Sequence, residues 1–268
     1  MSLQLPDVTV SSRARRVPPL GGFNLSFLGL EMRRLVRNRQ TVLITLVVPV
    51  FFFFILFKSQ PGGANIGASV MIGIAVYGGM TAATAGGAMV SVERALGWSR
   101  QLRLTPLRPP AYIAIKLLTA MFLGLLSVAA IFVAGAVSGV QMPLGVWILS
   151  ALLAWWGTLV FASFGLFMGY LLPSENVMQI IGPVLAVFSL FGGLFVPVAL
   201  LPSAMRDIAP YMPTYGVAAI ARFPVVGGAF DPTWVLSVVI WTIAFIFAAV
   251  MLFRRDTRRG GARYEARA

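Results

Sequence analysis

The chain has 268 residues, of which 59% are hydrophobic and 11% are charged. Because an ordinary soluble domain carries roughly 25% charged residues, this composition excludes that class and predicts an integral membrane protein. The chain contains no cysteine and no histidine, which excludes disulfides, thiol catalysis and metal sites built from those side chains.

The net charge of +13 could indicate a nucleic-acid partner, but the basic residues cluster beside apolar runs. This placement is typical of a topology signal and of attraction to anionic lipid headgroups. No recognisable nucleic-acid-binding module accompanies the basic segments. We therefore expect contacts with the lipid bilayer and no nucleic-acid partner.

The N-terminal part of the chain is basic and lacks an apolar run directly after its first arginines. Residues 1–22 are predicted to be a flexible cytosolic tail and not a cleaved signal peptide. From residue 24 to about residue 40, apolar residues recur at intervals of three and four, which predicts an interfacial amphipathic helix with Arg33, Arg34 and Arg37 facing the headgroups. The alternative is that these arginines are only a basic flank that orients the first span.

Six apolar runs follow, each long enough to cross a bilayer as a helix. Their predicted limits are about 41–57, 66–90, 112–139, 146–172, 176–195 and 233–253. The second span carries Ala75, Gly79, Ala83 and Gly87 at intervals of four, which predicts close packing against another helix of the same chain. We expect one membrane domain over residues 23–253 and a basic cytosolic tail over residues 254–268.

The segment 92–107, between the second and third spans, carries charged residues among leucines. This pattern predicts a short helix with an apolar and a charged side, closed by Thr105 and Pro106. Such a helix lies on a membrane surface or docks on a partner.

The segment 197–231 is apolar but contains five prolines that forbid one continuous helix. Two helical pieces fit, at about 203–209 and 214–223, with Ser203 and Thr214 as predicted N-caps. Because freed backbone groups at membrane depth need protein or water partners, the segment is predicted to be a broken re-entrant hairpin on the extracellular side. The fold class expected is therefore an all-α integral membrane protein with six transmembrane helices, an N-terminal interfacial helix and this hairpin before the last span.

The distribution of basic residues predicts the topology. Of the 21 Lys and Arg residues, only Lys58, Arg206 and Arg222 fall on the side opposite to the termini. The positive-inside rule therefore places both termini and the 92–107 segment in the cytosol of a plasma-membrane protein.

The chain shows no energy source of its own. We expect the cores of the six spans to be empty of ionisable side chains, with Lys116 reaching the surface from the start of the third span. No phosphate-binding loop of the GxxxxGK[ST] type occurs. A separate ATPase subunit that docks on the cytosolic face fits both observations.

The 92–107 segment resembles the cytoplasmic loop of permease subunits of ATP-binding cassette type-2 exporters, which typically reads like ERERGTLEQLLVTPL. The compact size of the chain and the TPL-type loop look closest to the drug-resistance, daunorubicin-type branch. Ala95, Leu96, Trp98 and Arg100 depart from that pattern. The residues that fit it at its spacing are Glu93, Arg94, Gly97, Gln101, Leu102, Thr105, Pro106 and Leu107.

The resemblance implies that the segment is a coupling helix. Two copies of the permease, or one copy and a close relative, would pair with two ATPase subunits, and these would bind the ATP and Mg. Glu93 and Arg94 would contact the ATPase or the neighbouring amphipathic helix, and Gly97 would be a point of close approach. The alternative is that Glu93 and Arg94 pair only locally at the helix start.

The apolar composition of the spans suits a hydrophobic or amphiphilic substrate, such as a drug, an antibiotic or a lipid. The sequence identifies no substrate-binding residue, no catalytic residue and no metal ligand. The alternatives are a permease of the same architecture for a lipid-linked glycan or polysaccharide, and a membrane scaffold without transport.

Overall fold

A computed structural model of the chain describes residues 23–58, 64–97, 109–195 and 198–265. In these ranges the chain is helical and contains no strand. The α-helices, numbered in chain order, are α1 (Leu25–Arg37), α2 (Arg39–Lys58), α3 (Ala64–Ala88), α4 (Val90–Ala95), α5 (Pro109–Val137), α6 (Leu144–Leu171), α7 (Ser174–Phe191), α8 (Ser203–Ile208), α9 (Pro213–Val226) and α10 (Pro232–Glu265). Two 3₁₀ turns, Val198–Leu200 and Ala209–Tyr211, flank α8.

Six of the described helices are long and apolar enough to cross a membrane: α2, α3 with its extension α4, α5, α6, α7 and the apolar part of α10. The predicted all-α membrane fold with six spans is therefore confirmed, and the protein is a multi-pass membrane protein. The fifth span ends at Phe191, four residues before its predicted end, because Gly193 adopts φ +61° in the turn that follows. The last helix continues beyond residue 253 to Glu265.

The second span, α3, lies at the centre and packs on both α5 and α6. Its small residues explain this position, since Ala75 and Ala83 are fully buried. A Cβ atom at Gly79 would lie 2.8 Å from Thr158, and one at Gly87 would lie 2.5 Å from the Ala162 carbonyl oxygen. The predicted packing stripe is confirmed, because backbones that approach so closely leave no room for larger side chains.

The first span has a different character, because most of its large side chains are exposed on the surface of the chain. Leu43, Val47, Phe51 and Ile55 are each at least 50% exposed, whereas Phe53 is fully buried. The apolar surface of α2 therefore faces lipid or another chain.

The proline-rich segment forms α8 and α9, close to the predicted limits. The predicted N-caps are wrong: Pro202 and Met212 occupy the cap positions, and neither makes a side-chain cap hydrogen bond. Thr214 is instead fully buried against Gly192, where only a glycine leaves space for its methyl group. Pro224 does not end α9, which runs to Val226 and stops at Gly227, where φ is +68°.

The start of α10 is set by Asp231. Its Oδ1 accepts a hydrogen bond of 2.9 Å from the Thr233 backbone N–H. Hydrogen bonds from the Thr233 side chain and backbone lower the pKa of the Asp231 carboxyl below its ordinary value. A charged oxygen at this position satisfies a helix N–H that would otherwise lack a partner.

Candidate functional site

Helix α4 is a short continuation of the second span. Backbone N–H groups of Val92 and Glu93 donate to the carbonyl oxygen of Met89 at 3.1 Å, which joins α4 closely to α3. The helix ends at Ala95, and Gly97 adopts φ +76°, a conformation that glycine accepts readily. The prediction of one continuous helix over 92–107 is therefore wrong at Leu96 and Gly97.

The remaining residues of the predicted coupling segment lie outside the part of the chain that the structure describes. These residues are Gln101, Leu102, Thr105, Pro106 and Leu107. Their assignment stays a prediction.

Glu93 is buried at the end of the helix bundle, with 8% of its surface exposed. Its Oε1 accepts a hydrogen bond of 2.6 Å from Lys116 Nζ, and its Oε2 accepts one of 2.9 Å from the Tyr112 hydroxyl. Both partners belong to α5. A buried carboxylate is tolerated only when such partners replace water, so Glu93 ties α4 to the third span.

Lys116 joins three helices through its ammonium group. Besides Glu93 on α4, it donates to Glu31 Oε2 on α1 at 3.0 Å. Lys116 is 4% exposed, so the prediction that it reaches the membrane surface is wrong. The expectation that all span cores lack ionisable groups is corrected as well, because this ammonium lies inside α5 and is neutralised by two carboxylates.

Helix α1 presents its one acid to the bundle and its arginines to the outside. Glu31 is buried, whereas Arg33, Arg34 and Arg37 are exposed. Arg34 Nη1 lies 3.8 Å from Glu93 Oε1, but its side chain is 60% exposed, so solvent screening makes this ion pair weak. We name Glu31, Glu93, Tyr112 and Lys116 the buried ion cluster.

Arg94 attaches α4 to another span. Its Nη1 donates to the carbonyl oxygens of Gly169 at 2.9 Å and Tyr170 at 2.8 Å, in the last turn of α6. Its guanidinium carbon lies 5.6 Å from the centre of the Tyr170 ring. Carbonyl groups at a helix C-terminus lack partners in their own helix and attract cations, which explains the contact.

Glu93 and Arg94 therefore bind two different spans, and the hypothesis that they pair only locally is wrong. Gly97 has open space where a Cβ atom would lie, so within the described residues it makes no close approach inside the chain. Next to it, Leu96 is 73% exposed.

Three further residues were missed or misread from the sequence: Glu31, Tyr112 and Lys116. Two signals were present, a single acid in an otherwise basic helix and a lysine one turn after a tyrosine at the start of a span. Neither signal shows that the side chains meet, because Glu31 and Lys116 are 85 positions apart.

Arg222 on α9 is a second cation inside the structure. Its guanidinium donates to the carbonyl oxygens of Gly193 at 2.9 Å, Leu194 at 3.3 Å and Ser69 at 3.3 Å. A Cβ atom at Gly73 would overlap the guanidinium, so this glycine makes the room that Arg222 occupies. The contacts join α9 to α3 and to the end of α7.

No group of three or more acidic, cysteine or histidine side chains that could hold a metal ion occurs within the described ranges. Within the buried ion cluster, the Lys116 ammonium pairs with the Glu31 and Glu93 carboxylates. This pairing holds helices together.

Comparisons with known proteins add two findings. Residues 27–222 match the family described as ABC-2 type transporter. The chain is also 27% identical, over 235 residues, to a protein of Bacillus subtilis (strain 168) named "Putative transport permease YvfS". That match covers 84% of this chain and 95% of the Bacillus protein.

Proposed function

The chain belongs to the ABC-2 type transporter family, and on that basis we propose that it is the transmembrane permease subunit of an ATP-binding cassette exporter. A permease subunit is a transport protein and not an enzyme. Permeases of this family are generally paired with an ATPase subunit. In our proposal two ATPase subunits bind and hydrolyse the ATP, with its Mg, and the permease carries the substrate pathway.

The observation that carries the coupling proposal is the position of α4. One short helix is bound through Glu93 to α5 and through Arg94 to α6. Through Lys116 the same cluster reaches α1. In our proposal a force applied at α4 is transmitted to these three helices, because a buried charge that loses its partner is strongly destabilising.

The proposed docking surface is the end of α4 together with the segment that follows it. Val92 and Leu96 are 37% and 73% exposed next to charged groups. Exposed apolar side chains beside polar ones are typical of a protein interface. We assign Gln101, Leu102, Thr105, Pro106 and Leu107 to the same surface, on the strength of their place in the sequence.

A second copy of the permease, or a close relative, completes the proposed transporter. The exposed apolar faces of α2 and α7 support this assignment. In α7, Met178 and Val187 are 46% and 49% exposed, and α2 presents the row described above. Oligomers of membrane helices bury such faces against each other.

We propose a hydrophobic or amphiphilic substrate, a drug, an antibiotic or a lipid. Three aromatic side chains, Phe52, Tyr77 and Phe195, lie together near the exposed face of α2. The ring centres of Tyr77 and Phe195 are 4.8 Å apart, and those of Phe52 and Tyr77 are 6.1 Å apart. Clustered aromatic rings with one polar hydroxyl suit an amphiphilic molecule.

The proposed location is the plasma membrane, with both termini and α4 in the cytosol. The support is the positive-inside rule, since arginines surround α1 and follow the apolar part of α10. In this orientation α8, α9 and Arg222 lie on the outer side. Lipid contacts are expected for α1, where Leu25 and Leu30 are 74% and 64% exposed.

The proposal is tested by reconstituting the permease with the ATPase encoded beside it. ATP hydrolysis by the complex and export of a fluorescent amphiphile are measured for the wild type, for Glu93→Gln and for Glu175→Gln. Glu175 is an exposed carboxylate in the first turn of α7 and serves as the matched control. We expect Glu93→Gln to abolish export and to uncouple hydrolysis, and Glu175→Gln to leave both unchanged.

Unchanged coupling in Glu93→Gln would refute the role of α4. A neighbouring ATPase that carries a carbohydrate-binding extension would favour the glycan or polysaccharide exporter instead. If the chain associates with no ATPase, the remaining hypothesis is a membrane scaffold without transport.

A further inference from the structure

A groove runs along the surface of the bundle between α6, α9 and α10. Its volume is about 240 Å³, and ten residues from these three helices line it. The side-chain polar groups of this lining are the Thr242 hydroxyl, which donates to the Val238 carbonyl oxygen at 2.7 Å, and the indole N–H of Trp156 at the rim. The rest of the lining is apolar and offers little to a polar ligand or to water.

The packing of α9 explains why the groove exists. In one half of their length α6 and α10 touch through aromatic rings, with Phe164 and Phe245 centred 5.2 Å apart. In the other half α9 packs against both helices, with Val217 filling the space at Gly157. Gly216 packs on the Trp234 carbonyl oxygen, which a Cβ atom would approach to 2.7 Å. The gap left beside α9 is the groove.

The groove opens on the face that the bilayer covers. Trp156 on α6 and Ile243 on α10 stand at its rim and are 60% and 62% exposed. Both helices are long and apolar enough to span the membrane, so hydrocarbon and not water lies in front of the opening.

The apolar lining, the lateral opening and the small volume of the groove favour an alkyl chain over a drug-sized molecule. Pockets for drug-sized molecules measure about 300–1,000 Å³, which is more than this groove offers. A single alkyl chain needs only a narrow apolar channel that is open at the side. We propose that the groove between α6, α9 and α10 is a binding site for one acyl chain of a membrane phospholipid, distinct from the substrate pathway.

An acyl chain bound at this site would fill the gap that α9 leaves between α6 and α10. A bound chain restores the dispersion contacts that the lining side chains lack across an empty groove. The proposal does not depend on transport, so its failure would leave the permease assignment untouched.

The experiment uses the full chain in vesicles of phosphatidylethanolamine and phosphatidylglycerol that contain a phospholipid with a photoreactive diazirine on one acyl chain. Cross-linked peptides are mapped by mass spectrometry, and lipids retained after delipidation are counted by native mass spectrometry. We expect labelling to concentrate on residues 153–159 and 238–243, above that of the exposed face of α2, and one phospholipid to be retained per chain.

Two substitutions on α10 provide the matched comparison. Val239 lines the groove and Ile240 does not, and the two side chains are 45% and 55% exposed. Val239→Trp fills the groove and should lower the labelling of residues 153–159 by about tenfold, which corresponds to a tenfold loss of affinity. Ile240→Trp should not lower the labelling. Equal labelling of all lipid-facing helices in the wild type, or no phospholipid retained after delipidation, would overturn the proposal even if Val239→Trp fails to fold.

Discussion

The ammonium nitrogen of Lys116 lies 2.6 Å from a carboxylate oxygen of Glu93, and both side chains are buried. This pair joins the third span to the helix that extends the second span. A charge pair at this position costs desolvation energy, which is offset by the second carboxylate, Glu31, and by the Tyr112 hydroxyl. The pair therefore explains how α4 can be held rigidly on the bundle.

Replacing Lys116 by methionine should destabilise the chain by about 3–5 kcal/mol, because Glu31 and Glu93 would keep their burial and lose their common cation. The measurement is the denaturant midpoint in detergent. Arg206→Met, which removes an exposed cation on α8, is the control and should change stability by less than about 0.5 kcal/mol. A Lys116→Met protein as stable as Arg206→Met would show that the cluster contributes little.

Replacing Arg94 by methionine should lower stability by about 1.5–3 kcal/mol, since two carbonyl oxygens at the end of α6 lose a charged donor. Arg94→Lys should recover part of this, because one ammonium can reach the same carbonyl groups without the planar fork. Thermal unfolding of both variants, with exposed Arg33→Met as the reference, provides the check. Equal unfolding temperatures for Arg94→Met and Arg33→Met would contradict the assignment.

Gly73→Ala should cost about 1–3 kcal/mol by overpacking, because the new methyl group would overlap the Arg222 guanidinium and lie 2.6 Å from the Leu194 carbonyl oxygen. Gly145→Ala is the matched change, at a glycine with no atom within 4 Å of the added methyl group. We expect it to be neutral or slightly stabilising in the same unfolding assay. Identical behaviour of the two alanine variants would mean that Arg222 is not fixed by the space at Gly73.

Single-cysteine labelling can test the proposed topology directly, because the natural chain contains no cysteine. A membrane-impermeant maleimide should label Asp207→Cys on α8 in intact cells, and should label Glu175→Cys on α7 only after permeabilisation. Both side chains are exposed on the chain, so accessibility within the fold does not separate them. The reverse labelling pattern would place the termini and α4 outside the cell.

Several features could be predicted from the sequence because they depend on local composition. The apolar runs set the six spans, and the stripe of Ala75, Gly79, Ala83 and Gly87 identified the central packing face of α3. The prolines around α8 and α9 predicted the limits of those two helices to within a few residues. The predicted caps were wrong, because Pro202 occupies the cap position of α8 and Pro213 is the first residue of α9, so Ser203 and Thr214 lie inside the helices.

Only part of the candidate site could be predicted from the sequence. Glu93 and Arg94 were singled out by their motif, but their partners are in other helices. Lys116 was expected at the membrane surface because a lone lysine near a span end usually extends to the interface. Its actual partners, Glu31 and Glu93, come from segments that only the packing of α1 and α4 on α5 brings together.

The sequence by itself determined that this is a helical membrane protein with six spans, because a bilayer requires about 20 apolar residues in each crossing helix. A short loop motif also indicated the family, which the match over residues 27–222 confirmed. Only the tertiary structure decided which charges are buried together, where α4 ends, and that α9 leaves a groove between α6 and α10. These features depend on contacts between residues far apart in the chain, and no local pattern encodes such distances.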